Sequence, residues 1–298
     1  MSVYHPSLTV YNPQLLEVIE ANFQIDIWDD TCTFSEGPVW NPEGFYLFSD
    51  IPENTIMSIG ADQKKGPYIS DSGYDSARGD EGMLSRQIGS NGLAYAADGS
   101  LIVCQHGNGA VARWSGATLF PFITSYEGLP FNSPNDLAVH PDGSIFFSDP
   151  PYGLKDQQLL HSHRQSFGGI YCYREETVSL VSTAYDYPNG LCFSPDYTIL
   201  YACSSKEKER FVLRFDALTL APLGKLCDEN GDGIKCDQLG NLWLCTKEGV
   251  LIISEKGERL GLIALPSVPA NCCWGGANRK DLLITARQNI FHLAMLQK

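Results

Sequence analysis

Six positions in this sequence carry a carboxylate or a carboxamide at the head of one recurring phrase: Glu36, Asn91, Asn135, Asn189, Asp232 and Asn271. Successive heads are separated by 55, 44, 54, 43 and 39 residues. The phrase is clearest from Ser133 to Asp149. A polar head leads into Leu137-Ala138-Val139, an Asp142-Gly143 turn follows, and a second apolar run, Ile145-Phe146-Phe147, ends in Ser148-Asp149. Asp-Gly between two apolar runs is a strong short-range hairpin signal. Pointed at a common centre, Glu36 and Asp232 with Asn135 and Asn189 would present two negative charges and neutral oxygens. That is a hard, oxygen-only donor set, suited to Ca²⁺ or another divalent cation and unsuited to structural zinc. A single Asn-Gly or Asp-Gly head needs no such reading, because it commonly shapes the turn before a strand. Glu36 is no turn former, however, and turns alone do not repeat one register around a chain.

The elements that must bring these heads together form a ring. A period of about 40–50 residues with four short strands per unit marks β-propeller blades, and six units close the ring. The innermost strand of each blade runs beside the central channel, so residues at one point of the repeat share one mouth of it. The expected fold is therefore all-β, a six-bladed β-propeller forming a single domain over 1–298. Residues 1–33 should supply a short N-terminal helix and a ring-closing strand. Leu15, Leu16, Val18 and Ile19 recur at helical spacing within 13–22, and Phe23, Ile25 and Ile27 alternate as a strand over 23–28. The last repeat stops soon after Leu293, one strand short of a blade. The 23–28 strand would complete it and leave no exposed sheet edge. The longest insertion, 152–168, contains His161, His163 and Arg164 and is expected as a loop on one face.

Composition narrows the partners. A formal net charge of −14 argues against nucleic acid or an anionic membrane surface. No basic stretch followed by an apolar run opens the chain, and no window approaches a membrane span. The ten cysteines include Cys104, Cys172, Cys203 and Cys245 inside strand-like runs, where Cys acts as a small hydrophobe. They read as reduced residues of a cytoplasmic protein, with vicinal Cys272-Cys273 the one place where oxidation could matter. Other motifs fail on inspection. The run from Asp228 to Gly233 imitates half of an EF-hand loop, but Leu239 stands where the closing Glu belongs. His161-Ser162-His163 has metal-like spacing without a third ligand. No G-x-S-x-G, H-E-x-x-H or phosphate-binding loop occurs.

Four passages carry a family resemblance: Ser35-Glu36-Gly37-Pro38-Val39-Trp40, Asn132-Ser133-Pro134-Asn135-Asp136-Leu137, Pro188-Asn189-Gly190-Leu191 and Asp232-Gly233-Ile234. Together they resemble the motifs of the gluconolactonase / senescence-marker-protein (regucalcin) family. Leu101 to Asn108 and Phe147 to Gly153 resemble its bacterial gluconolactonase branch. The resemblance spans the chain from about Phe34 onward. It implies hydrolysis of sugar lactones with one divalent metal ion, Ca²⁺ foremost and Zn²⁺, Mn²⁺ or Mg²⁺ as alternatives, held by Glu36, Asn135, Asn189 and Asp232. The metal would polarise the lactone carbonyl and orient water, and Asp232 would be the catalytic proton-transfer residue.

Around that set, His106, Asn91, Asp136 and Tyr152 are candidate substrate contacts, while Asp149 reads as a turn residue at a strand end. Some family members carry a basic substrate contact two positions before the second motif's Asn; here that position is Ser133. A paraoxonase-like hydrolase of aryl esters or organophosphates, or a non-enzymatic calcium-binding propeller, are the alternatives. The partner expected is a small-molecule lactone, and the oligomeric state is not legible.

Overall fold

A computed structural model describes residues 2–4, 6–19, 23–75, 77, 84–159 and 163–294. Six antiparallel sheets follow one another, each built from an inner hairpin and two outer strands. Blade 1 comprises Ser35–Asn41, Phe45–Asp50, Thr55–Ile59 and Lys65–Ser70. Blade 2 comprises Ser90–Tyr95, Leu101–Gln105, Ala110–Trp114 and Leu119–Ile123. Blade 3 runs through Leu137–Val139, Ile145–Asp149, Gly169–Arg174 and Thr177–Ser182. Blade 4 is Pro188–Phe193, Ile199–Ser204, Val212–Asp216 and Pro222–Cys227. Blade 5 takes Ile234–Cys236, Leu242–Thr246, Gly249–Ile253 and Arg259–Ile263; blade 6 takes Asn271–Gly275, Asp281–Ala286 and Asn289–Ala294.

The turn between the first two strands explains the repeated Gly. Gly44, Gly99, Gly143 and Gly240 sit there with φ of 102°, 82°, 91° and 88°, a region that costs a side chain about 1–2 kcal/mol. Blade 4 accepts that strain at Tyr197, with φ 61°.

Alternating apolar residues on both faces of each sheet fill the spaces between blades. Each of six hydrophobic clusters straddles one pair of neighbouring blades, including Tyr46, Phe48 and Leu283 between blades 1 and 6. The core is thus a closed circuit of interfaces.

Closure comes from the N-terminal segment. Ile25–Asp29 pairs antiparallel with Asn289–Ala294, with Ile25 opposite Leu293 and Ile27 opposite Phe291. The strand lies slightly later than the 23–28 expected. Two further N-terminal strands were not anticipated: Ser2–Tyr4 extends blade 6 and Leu8–Val10 extends blade 5. The helix is much shorter than 13–22. Only Leu15–Val18 is helical, without a side-chain N-cap, and Ile19 is already extended. Leu15, Val18 and the extended Ile19 bury against the cluster between blades 5 and 6 while Leu16 stays exposed. Residues 20–22 of that expectation, and His161 with Ser162 of the insertion, lie outside the described residues. All ten cysteines are free. Among the described residues no helix is long and apolar enough to cross a membrane.

Candidate functional site

The six heads meet at one mouth of the ring, where backbone groups stitch blade to blade. Gly92 N–H donates to Asn135 O at 2.7 Å, Gly190 N–H to Asp232 O at 2.9 Å, and Gly233 N–H to Ala270 O at 2.7 Å. Ser49 Oγ donates to Asn91 O at 2.8 Å, joining blades 1 and 2. The approach is close enough that only glycine fits after Glu36: a Cβ on Gly37, which has φ +52°, would stand 2.0 Å from Asn91 O.

Glu36, Asn91, Asn135, Asn189 and Asn271 are buried at this mouth, and Asp232 is partly exposed. Burial, then the charges of Asp232 and Asp136, push the Glu36 carboxyl well above its ordinary range, while Gly37 N–H and the Asn271 side chain oppose the rise. Asp232 is pushed up to about 7, chiefly by withdrawal from water; the hydrogen bond from Asn189 opposes this and the Asp136 charge adds to it. Asn189 Nδ2 donates to Asp232 Oδ1 at 2.5 Å, which turns Asn189 Oδ1 the other way. That oxygen, like Asn91 Oδ1, is buried without a hydrogen-bond partner. Buried amide oxygens are normally paired. The unpaired Asn189 oxygen, next to the Asp232 carboxylate that repels Glu36, fits a hard divalent cation. Among the described residues no three His, Cys, Asp or Glu groups cluster as a metal site; the donors here are mixed carboxylate and amide.

His106 joins two heads. Its Nδ1 lies 3.1 Å from Gln87 O, and its Nε2 lies 3.3 Å from both Asn91 Nδ2 and Asn135 Nδ2. A carbonyl can only accept, so the proton sits on Nδ1 and Nε2 accepts from the two amides. Burial lowers the imidazole to about 4, in keeping with a neutral ring. Asp136 Oδ1 accepts from Leu137 N–H, and Oδ2 from Leu191 N–H at 3.1 Å and Lys235 Nζ at 3.0 Å. Its charge is therefore matched within the protein. Tyr152 OH lies 2.5 Å from Ser205 Oγ, and the Asn189 amide acts on it as a donor, so it reaches the head of blade 4 from the insertion between the second and third strands of blade 3.

Sequence reasoning missed a second layer. In blade 1 the Asp50 carboxylate accepts Thr33 N–H at 2.9 Å and Phe34 N–H at 2.8 Å. In blade 3 Asp149 accepts Asn132 N–H at 2.8 Å and Ser133 N–H at 2.7 Å. In blade 4 Glu209 accepts Asp186 N–H at 2.9 Å and Tyr187 N–H at 3.3 Å. In every case the clamped amides stand three and two residues before the head: Glu36, Asn135 and Asn189. Asp149 is therefore no mere turn residue. Its signal was available, since Asp50 and Asp149 end the second strand of the same phrase. Glu209 carries no such signal, because it reaches in from the turn after Ser204.

Asp232 opens onto a cleft of about 210 Å³ shared with Ser205, Thr246, Lys247, Val268 and Arg287. A buried oxygen-rich floor meeting an open cleft can hold a cation and admit a small polar substrate.

Residues 34–288 match the family model described as the SMP-30/Gluconolactonase/LRE-like region. A gluconolactonase of Zymomonas mobilis is 30% identical over 95% of this chain and 84% of its own length. Among solved structures, a gluconolactonase from Xanthomonas campestris superposes with a TM-score of 0.81 at 24% identity, covering 99% of this chain and 95% of that one. A calcium-binding regucalcin from Agrobacterium tumefaciens superposes at 0.72 and 22% identity, covering 92% and 94%.

Proposed function

We propose, on the premise that this chain belongs to the SMP-30/gluconolactonase/LRE-like family, that it is a lactonase opening sugar lactones at the mouth of the propeller. The observation that carries the reading is the partnerless Asn189 Oδ1 beside the elevated carboxylates of Glu36 and Asp232. Glu36, Asn135, Asn189 and Asp232 would hold one divalent cation, Ca²⁺ foremost. When bound, that ion supplies Lewis-acid polarisation of the lactone carbonyl and a site for water. The whole chain, 1–298, would work as one domain, since both of its ends contribute strands to blade 6.

The residues divide the remaining work. Asp232 would accept a proton from water and return it to the departing ring oxygen. Its bond from Asn189 fixes which carboxylate oxygen faces the cleft. His106, neutral and pinned by Gln87, holds the amide faces of Asn91 and Asn135 so that their oxygens point away from it. Tyr152, Asn91 and Asp136 stand where a substrate's hydroxyls or their supporting groups would be met. The products are the hydroxy acid and, above its pKa, a released proton.

That proton is the measurement. Metal-dependent acid release from D-glucono-1,5-lactone should be abolished by a chelator and restored by adding Ca²⁺ back. Glu36→Gln should weaken the metal, read by calorimetry, on the order of 10–100-fold, with the protein still folded by circular dichroism. Lactone turnover at background beside clear aryl-ester turnover would reassign the ester class. Calcium binding with neither turnover would make the chain a binding propeller.

A further inference from the structure

The charges at the mouth do not cancel, and the excess is positive once a divalent ion is bound. Glu36 and Asp232 would neutralise such an ion, and Asp136 is matched by Lys235 at 3.0 Å. On the cleft wall Arg210, Arg259 and Lys247 are balanced by Glu207, Glu229 and Glu248, with Arg210 2.9 Å from Glu229 and 3.1 Å from Glu207, and Arg259 2.5 Å from Glu229. Two cations remain. Lys206 is partly buried and makes no ion pair among the described residues. Its Nζ lies 4.2 Å from the Tyr187 ring centre and 5.5 Å from that of Tyr152. Those rings hold the ammonium at the site, because Tyr152 OH bonds Ser205 on the cleft wall and the Asn189 side chain. Arg287 lines the same cleft as Asp232, likewise without an ion pair among the described residues. Its carbonyl accepts from Ser35 N–H at 2.7 Å and Ser35 Oγ at 2.8 Å, so its backbone is pinned one residue from Glu36.

One cation thus comes from blade 4 and the other from the end of blade 6, on either side of the proposed proton-transfer residue. Resting on the lactonase reading, we infer that the preferred substrate is an anionic sugar lactone, whose carboxylate or phosphate is received between Lys206 and Arg287. A neutral lactone would leave both cations without a partner, whereas an anion gains two charge-assisted contacts.

The test compares kcat/KM for neutral D-glucono-1,5-lactone, carboxylated D-glucaro-1,4-lactone and phosphorylated 6-phospho-D-glucono-1,5-lactone on the metal-loaded protein. One anionic lactone should exceed the neutral one by about tenfold or more, and which of them does so identifies the anion. Lys206→Met and Arg287→Met should each cut that preference severalfold, the pair should erase it, and Lys206→Arg or Arg287→Lys should recover part of it. Calorimetry of open-chain products without added metal gives an independent readout, with glucarate or 6-phosphogluconate binding more tightly than gluconate. Equal or better turnover of the neutral lactone, or a preference that survives in the double variant, overturns the inference while leaving the lactonase intact. Absence of all lactone turnover overturns the lactonase reading instead, and the calorimetric comparison still decides whether the mouth selects anions.

Discussion

Blades 1, 3 and 4 differ from blades 2, 5 and 6 in how the chain enters the central channel. In the first group a carboxylate grips the two amides just ahead of the head residue. In the second group the second strand ends in Gln105, Thr246 or Ala286, and no such clamp forms among the described residues. The clamped heads are Glu36, Asn135 and Asn189, three of the four proposed metal ligands. The unclamped ones are Asn91, Asn271 and Asp232. A ligand that only donates oxygen gains from a rigid backbone, because charge-assisted bonds on adjacent amides fix its approach before the ion arrives. The residue proposed to move protons is the one ligand outside that scheme, held instead through its side chain by Asn189.

The sharpest way to break the comparison is to remove a clamp. Asp149 is fully buried and Arg164 lies close to it. In Asp149→Asn an amide NH₂ would face a backbone N–H, and both donors would lose full pairing. The expected cost is about 3–5 kcal/mol in chemical denaturation, with weaker Ca²⁺ binding in whatever protein folds. Glu209→Gln should cost less, about 1–3 kcal/mol, since the Ser204 hydroxyl that donates to that carboxylate can rotate to accept from the new amide. It should still lower metal affinity severalfold, read by calorimetry. Thr246→Val in blade 5 is the matching control. Its hydroxyl bonds only the local Gly249 carbonyl and Glu248 N–H, so stability should change by about 1 kcal/mol or less and metal affinity hardly at all. Equal losses of metal affinity in all three variants would end the distinction between the two groups.

The same contrast explains what was legible in the sequence. Heads, hairpins and blade count were readable because each repeat states them locally, through a polar residue, an apolar run and a Gly turn. The strand completing blade 6 was readable from an unfinished last repeat. The clamps were legible only in part, through the Asp that ends the second strand in Asp50 and Asp149. They join residues 16 to 23 positions apart, and Glu209 performs from a turn what Asp50 and Asp149 perform from a strand end, so no single register describes them. The bonds that occupy Asp136 and His106 were hidden, since Lys235 and Gln87 belong to other parts of the ring. The helix over 13–22 misled for the opposite reason: its local periodicity is real, and Leu15, Val18 and Ile19 all bury, but Ile19 does so on extended backbone after a single helical turn.

Blade 6 shows what replaces a clamp where none exists, and it gives the smallest of the expected effects. Its third strand is held by the N-terminal strand, whose Trp28 stacks on His292 with ring centres 4.0 Å apart and planes at 16°. Burial lowers the His292 pKa from 6.5, against the pull of Asp281, whose Oδ2 is 3.7 Å away, and of Asp26 across the pair. A histidine held neutral in the folded state binds fewer protons there than in the unfolded chain. Its contribution is therefore present above the unfolded value of 6.5 and is lost as pH falls below it. Between pH 7.5 and 5.5 the wild type should lose stability relative to His292→Phe, which keeps the stack and cannot titrate, by less than about 1 kcal/mol in urea unfolding, while the raised carboxylates of Glu36, Asp149 and Asp232 act the opposite way in both proteins alike. An unchanged slope would mean that the closing strand does not sense the imidazole, and that blade 6 is secured by its backbone ladder and apolar packing alone.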